Sequence, residues 1–289
     1  MPGPSGPEPP VPLPAGRVVF RVWRTGDGRA VAEPVVAWDV AGPAAVAPDD
    51  AQRWPAFARA FADAYYARGA TLVLYREGVR VGTFRVAAVT PDSVGSCPAL
   101  RAAGRVELDP AAVPIPEFLA VREGTGPDTA GYRVPDLRPE ARELAAVLAE
   151  RALAGRADAQ GWRPREPDDL RPLRWAEGQI GFAATFLRDD TLAVAPPGPR
   201  GAALFLVAGY DRATGYRPIH VEWEPYAAGD KRAVRWVDRF DLDADGALEW
   251  VLLAHGAVTR WYEVYDGSGG RWTRRWSGRS PLCEVSVAR

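Results

Sequence analysis

Arg235-Trp236-Val237-Asp238-Arg239-Phe240, then Asp241-Leu242-Asp243-Ala244-Asp245-Gly246-Ala247-Leu248-Glu249, then Trp250-Val251-Leu252-Leu253: this stretch decides how the chain is read. The two outer segments are aromatic and β-branched, so they read as strands. Between them three carboxylates alternate with apolar residues and can turn to a common centre. Hard cations such as Ca²⁺ take about 6–8 oxygen ligands from carboxylates and backbone carbonyls. Gly246 follows the third Asp, where a tight loop needs φ > 0. The carbonyl of Ala247 and the carboxylate of Glu249 are placed to close the shell. An EF-hand is excluded: its twelfth position calls for Glu, and here that residue is Leu252, with strands rather than helices on both sides.

The spacing resembles the D-x-D-x-D-G-x-x-D/E calcium loop of the FG-GAP/VCBS repeat family, found in integrin α-chain propellers and in many secreted bacterial proteins. Carried over by position, the resemblance implies side-chain ligands from Asp241, Asp243, Asp245 and Glu249 and a carbonyl ligand from Ala247. Glu249 stands where the family more often has Asp. The resemblance covers residues 232–276 in a single copy, and a propeller needs several four-stranded blades. An acidic turn that caps a hairpin and binds nothing is the other reading of the same residues.

Outward from the loop, the region 173–289 reads as strands separated by short turns, an antiparallel all-β meander or sandwich. Its strand candidates are 178–186, 191–194, 203–208, 216–223, 233–240, 248–254, 259–265 and 271–277. The region 17–155 reads as mixed α+β. Arg17–Arg24 and Ala30–Trp38 are strands, and Asp49-Asp50 offer an N-cap to a helix whose Trp54, Phe57, Phe61 and Tyr65 share one face. Residues 71–76 and 79–89 pair across Glu77-Gly78. Residues 105–108 and 117–122 are shorter strand candidates, and a second helix spans 138–154 with Pro139 in its first turn. Residues 156–172 are polar and Pro-bearing, the expected linker. Residues 1–16 are Pro- and Gly-rich and read as a disordered or extended tether. The fold class is therefore α+β, an α+β domain followed by an all-β one.

A net charge of −1 argues against a nucleic-acid partner whose affinity rests on neutralised phosphate. Lys231 is the only lysine and asparagine is absent, a pattern of GC-rich bacterial coding. No apolar run reaches the ~20 residues of a membrane span. Cys97 and Cys283 match no metal or redox spacing; they form one long-range disulfide in an oxidising compartment or stand as two unpaired thiols.

His220, Glu222 and Glu224 alternate along one strand, and His255 is the other histidine. His220, Glu222 and His255 together would give a metal-dependent hydrolase site; as a solvated strand face they would give none. Trp272, Arg274 and Trp276 share a strand face, which suits an Arg lying on aromatic surface. No phosphate-binding Gly-rich motif is present. These readings lead to a non-enzymatic, extracytoplasmic protein with one structural Ca²⁺ and a protein or carbohydrate partner.

Overall fold

A computed structural model describes residues 11–26, 28–94, 97–137, 139–174, 179–227, 230–267 and 271–278, with backbone alone for 91–94 and 97. Fifteen strands and two α-helices fall within them.

The first seven strands are β1 (Arg17–Arg24), β2 (Arg29–Asp39), β3 (Gly42–Ala44), β4 (Thr71–Arg76), β5 (Val79–Val94), β6 (Cys97–Leu108) and β7 (Glu117–Arg122). They pair in the order β1-β7-β4-β5-β6-β2-β3, and β1 also pairs with β2. Six antiparallel strands thus close into a barrel, with β3 hanging on the outside of β2. Alternation along each strand sorts the side chains. Phe20, Leu72, Leu74, Phe84, Phe118 and Ala120 point inward, while Val19, Val73, Tyr75, Leu119 and Val121 point outward.

Helix α1 (Trp54–Tyr65) plugs the barrel: Phe57 and Phe61 are buried in its interior, and Phe61 stacks on Tyr65 with centroids 4.5 Å apart. The Asp49-Asp50 cap is corrected. The helix begins after Arg53 with Pro in its first turn, and Asp50 instead accepts a hydrogen bond from the Gln52 amide at 2.8 Å. Val11 and Leu13 pack against the same core, so the expected tether is docked at these two residues.

The remaining strands form two sheets. Strands β8 (Asp169–Arg174), β9 (Ile180–Arg188), β10 (Ala202–Asp211) and β11 (Gly215–Pro225) make a sheet ordered β11-β10-β9-β8. Strands β12 (Ala233–Phe240), β13 (Glu249–His255), β14 (Arg260–Asp266) and β15 (Thr273–Ser277) make an antiparallel meander. The β12–β15 sheet lies between two partners. Val251 and Leu253 face the barrel's outer wall, while Trp250, Leu252 and Ala254 face the β8–β11 sheet. With both faces covered, β13 is buried throughout, which accounts for its unbroken apolar run. The far face of the β8–β11 sheet is covered by helix α2 (Ala141–Leu153), through Ala145, Leu148 and Ala149 against Phe182, Phe186 and Leu206.

The molecule is therefore mostly β, with antiparallel sheets and a six-stranded barrel. Two strand expectations are corrected. Residues 191–194 form no strand; their carbonyls turn to the ammonium of Lys231, which is 1% exposed and donates to Asp190 Oδ1 at 2.6 Å, to the Thr191 carbonyl at 2.8 Å and to the Ala193 carbonyl at 2.9 Å. Residues 169–172, expected in the linker, begin β8. Its Pro172 sits on a sheet edge, where the missing N–H interrupts no ladder.

Candidate metal centre

The loop 241–248 joins β12 to β13, and the ladder closes where Phe240 pairs with Glu249. Three contacts hold the loop to the barrel. Leu242 is 1% exposed, sunk between barrel and meander. Arg17 donates from Nη1 to the Asp241 carbonyl at 2.8 Å. Leu248 covers the β4–β5 turn so closely that a Cβ on Gly78 would lie 2.9 Å from its Cδ2. That turn has φ of 51° at Glu77 and 74° at Gly78, the two positive values a two-residue hairpin needs.

Within the loop, Ala244 (φ 65°) and Gly246 (φ 89°) take left-handed conformations and bend the chain round its own carboxylates. Each carboxylate accepts one backbone amide: Asp241 Oδ2 from Gly246 at 3.2 Å, Asp243 Oδ1 from Asp245 at 3.2 Å, Asp245 Oδ1 from Ala247 at 2.7 Å and Glu249 Oε2 from Leu242 at 2.8 Å. These bonds set the arms but leave oxygens over. Asp241 Oδ1 is buried without a hydrogen-bond partner.

Asp241, Asp243 and Glu249 each bring one carboxylate oxygen into a group whose members lie within 4.8 Å of one another. The donor set is all oxygen, which suits a hard cation. Asp245 is outside that group, its carboxylate bonded to the Ala247 amide. Electrostatics match the crowding. Burial, then the charges of Asp243 and Asp245, push the Glu249 carboxyl up to about 7. Burial and the neighbouring carboxylates also raise Asp243.

Arg235 and Arg239 precede the loop and are the local candidates to neutralise it without an ion. Neither is used that way. Arg235 forks onto Glu117 at 2.6 and 2.9 Å, and Arg239 donates to the Arg174 carbonyl. The cations that do reach the loop come from elsewhere in the chain: Arg17 on its backbone, and Arg275 with Nη1 3.7 Å from Asp243 Oδ2. Both contacts come from tertiary packing, and no spacing near the loop announces them.

The histidines are not brought together. His220 packs edge-on to Trp250 and Tyr265, with Nε2 3.2 Å from Glu222 Oε1. His255 lies at the other end of β13, with Nδ1 3.3 Å from the Ala233 carbonyl. Glu222 and Glu224 instead join Glu263 round Arg232, at 3.0, 2.7 and 2.5 Å. Burial works against ionisation there, but His220, Arg232 and Tyr265 hold the Glu222 carboxyl at about 2. Trp272 stacks on Trp250 with centroids 3.6 Å apart, and on β15 it is Arg275, 5.0 Å over Trp38, that lies on aromatic surface, while Arg274 reaches Glu263. Cys283 and the side chain of Cys97 lie outside the described residues.

Comparison with protein-family models, with curated proteins and with solved structures finds no significant match for the chain. Among the described residues no helix is long and apolar enough to cross a membrane.

Proposed function

We propose that the loop 241–249 binds one Ca²⁺ as a structural ion in a non-enzymatic, extracytoplasmic protein that docks a protein or carbohydrate partner. The observation that carries the reading is the convergence of Asp241, Asp243 and Glu249 with Asp241 Oδ1 buried and unpartnered. A buried anionic oxygen with no donor costs free energy that a cation would return. Waters and the Ala247 carbonyl would complete the shell, and Asp245 would join it by turning from the Ala247 amide. The FG-GAP/VCBS resemblance supports this loop chemistry on one hairpin. The ion's role is mechanical: the same loop carries Leu242, Leu248 and the Arg17 bond that hold the meander to the barrel. The barrel of residues 17–122 would then act as one unit, and the two sheets with helix α2, which packs on the β8–β11 sheet and not on the barrel, as the unit joined to it by this loop.

Millimolar Ca²⁺ should raise the melting temperature of the full chain, by about 2.7 kcal/mol of stabilisation at a hundredfold excess over Kd. Asp243→Ala should abolish the rise, and Glu123→Gln, on the exposed end of the β7 turn, should keep it. A wild-type melting curve that ignores both Ca²⁺ and EDTA sinks the reading.

A further inference from the structure

A cleft of about 310 Å³ opens where the barrel meets the β12–β15 sheet. One of its walls is an open strand edge. Among the described residues β6 pairs with β5 along its whole length, but with β2 only from Ala102 to Arg105. Beyond Ala32 the β2 strand leaves that ladder: Pro34 has no N–H to give, and Val35 is an extra residue in the register with β1. Pro98, Ala99 and Leu100 therefore have no strand on that side among the described residues, and all three line the cleft. An unpaired edge beside an apolar cleft is a place where a further strand adds. Val46, Trp54 and Trp276 supply the rest of the apolar wall.

The chain itself runs into this cleft. Strand β15 is antiparallel to β14, and just past its end the Gly278 amide still donates to the Tyr262 carbonyl at 2.9 Å. Residues 276–278 line the cleft, and so do residues 259–262, along which the chain is heading. The sequence continues Arg279-Ser280-Pro281-Leu282-Cys283-Glu284-Val285-Ser286-Val287-Ala288-Arg289. From Cys283 to Val287 apolar and polar side chains alternate, the pattern of a strand with one buried face. The four residues 279–282 reach up to about 13 Å, enough to cross a cleft of this volume. The charges agree as well. The charged lining of the cleft is Glu33, Asp49 and Arg260, two carboxylates to one guanidinium, and Arg279 brings a second guanidinium to it.

We propose that residues 283–287 of this chain add to the open edge of β6 as a strand, with Cys283, Val285 and Val287 turned into the cleft. Main-chain hydrogen bonds to the edge would hold the segment, and its alternate side chains would cover the apolar walls. Tethered by four residues, it meets the edge at a roughly millimolar effective concentration, which a second copy of the chain does not match in dilute solution. Seated there, the segment occupies the cleft from within, so an outside ligand of the cleft must displace it. This inference is independent of the calcium reading.

Hydrogen exchange of the full chain, read by mass spectrometry, tests it. In the wild type the amide of the Ala99–Leu100 pair that turns away from β5 should be protected. A chain ending at Gly278, and the full-length double variant Val285→Asp/Val287→Asp, should exchange there at least about tenfold faster, because an edge amide that loses its partner strand opens to solvent. Peptides from β9 and β10 should not change. A synthetic peptide of residues 279–289 should restore protection to the shortened chain, and the same peptide carrying Val285→Asp and Val287→Asp should not. The double variant keeps the test open if the shortened chain does not fold. Unchanged exchange at Ala99–Leu100 in both variants, a rise shared by β9 and β10, or wild-type protection that falls on dilution, the mark of a second copy on the edge, overturns the inference.

Discussion

Arg275 is the residue that sets how strongly the loop should want an ion. Its Nη1 lies 3.7 Å from Asp243 and 3.4 Å from Asp266, with the guanidinium over Trp38. It supplies part of the positive charge that Ca²⁺ would otherwise bring, so the two compete. The side chain is 41% exposed, and exposed pairs contribute only about 0–1 kcal/mol. Arg275→Ala should therefore tighten Ca²⁺ by no more than about fivefold, and the gain should shrink in high salt. Calorimetric Kd values at two ionic strengths would show it, and unchanged or weaker affinity would remove Arg275 as a competitor. The aspartates should not be equivalent either. Asp241→Asn alters a carboxylate with a buried, unpartnered oxygen, whereas Asp245 already spends an oxygen on the Ala247 amide. The first substitution should weaken the ion far more than the second; equal losses would mean that Asp245 turns inward as a full ligand.

At the scale of elements, Lys231 shows why a loop replaces an expected strand. Thr191-Leu192-Ala193-Val194 has strand-like composition, but its carbonyls are recruited by a buried ammonium. Asp190 faces that ammonium with a side chain 1% exposed. Lys231→Met should cost about 3–5 kcal/mol by leaving Asp190 charged and unpaired in the interior. Adding Asp190→Leu should recover much of the loss, as urea denaturation of the two variants can show. No recovery would mean that the loop's carbonyls, not the ion pair, hold it. Local signals elsewhere were enough: the Glu77-Gly78 turn fixes β4–β5, the Trp54–Tyr65 stripe fixes α1, and the D-x-D-x-D-G spacing brings together Asp241, Asp243 and Glu249. What spacing does not carry is long-range closure. The β1–β7 and β2–β6 pairings that make the barrel join segments about seventy to a hundred residues apart, and β6 is Ala-rich, so nothing local marks it as a barrel wall. Likewise the α2 periodicity shows a buried face, but not that the face belongs to the β8–β11 sheet.

For the whole molecule the decisive feature is one carboxylate that touches three layers. Glu117 on β7 bonds Arg21 of the barrel at 2.8 Å, forks onto Arg235 of the meander at 2.6 and 2.9 Å, and lies 3.7 Å from Arg171 of the β8–β11 sheet. Burial alone would raise its carboxyl, but Arg235, then Arg21 and Arg171, hold it at about 2 against an ordinary 4.5. The folded protein thus keeps this group ionised where the unfolded chain would protonate it. A depressed carboxyl of this kind stabilises the fold fully above about pH 4.5, and the contribution fades as pH falls towards 2. The displacement corresponds to about 3 kcal/mol. Glu117→Gln should therefore be less stable than the wild type by about 3–5 kcal/mol at pH 7, because it leaves three guanidiniums facing a neutral amide. The gap should narrow steadily between pH 4.5 and 2, as the wild type loses what the variant never had. Because all three layers share the group, the variant should still unfold in one step, as fluorescence and far-UV melts measured together would reveal. A gap that stays constant with pH would mean that Glu117 joins the layers by shape and hydrogen bonding rather than by its charge.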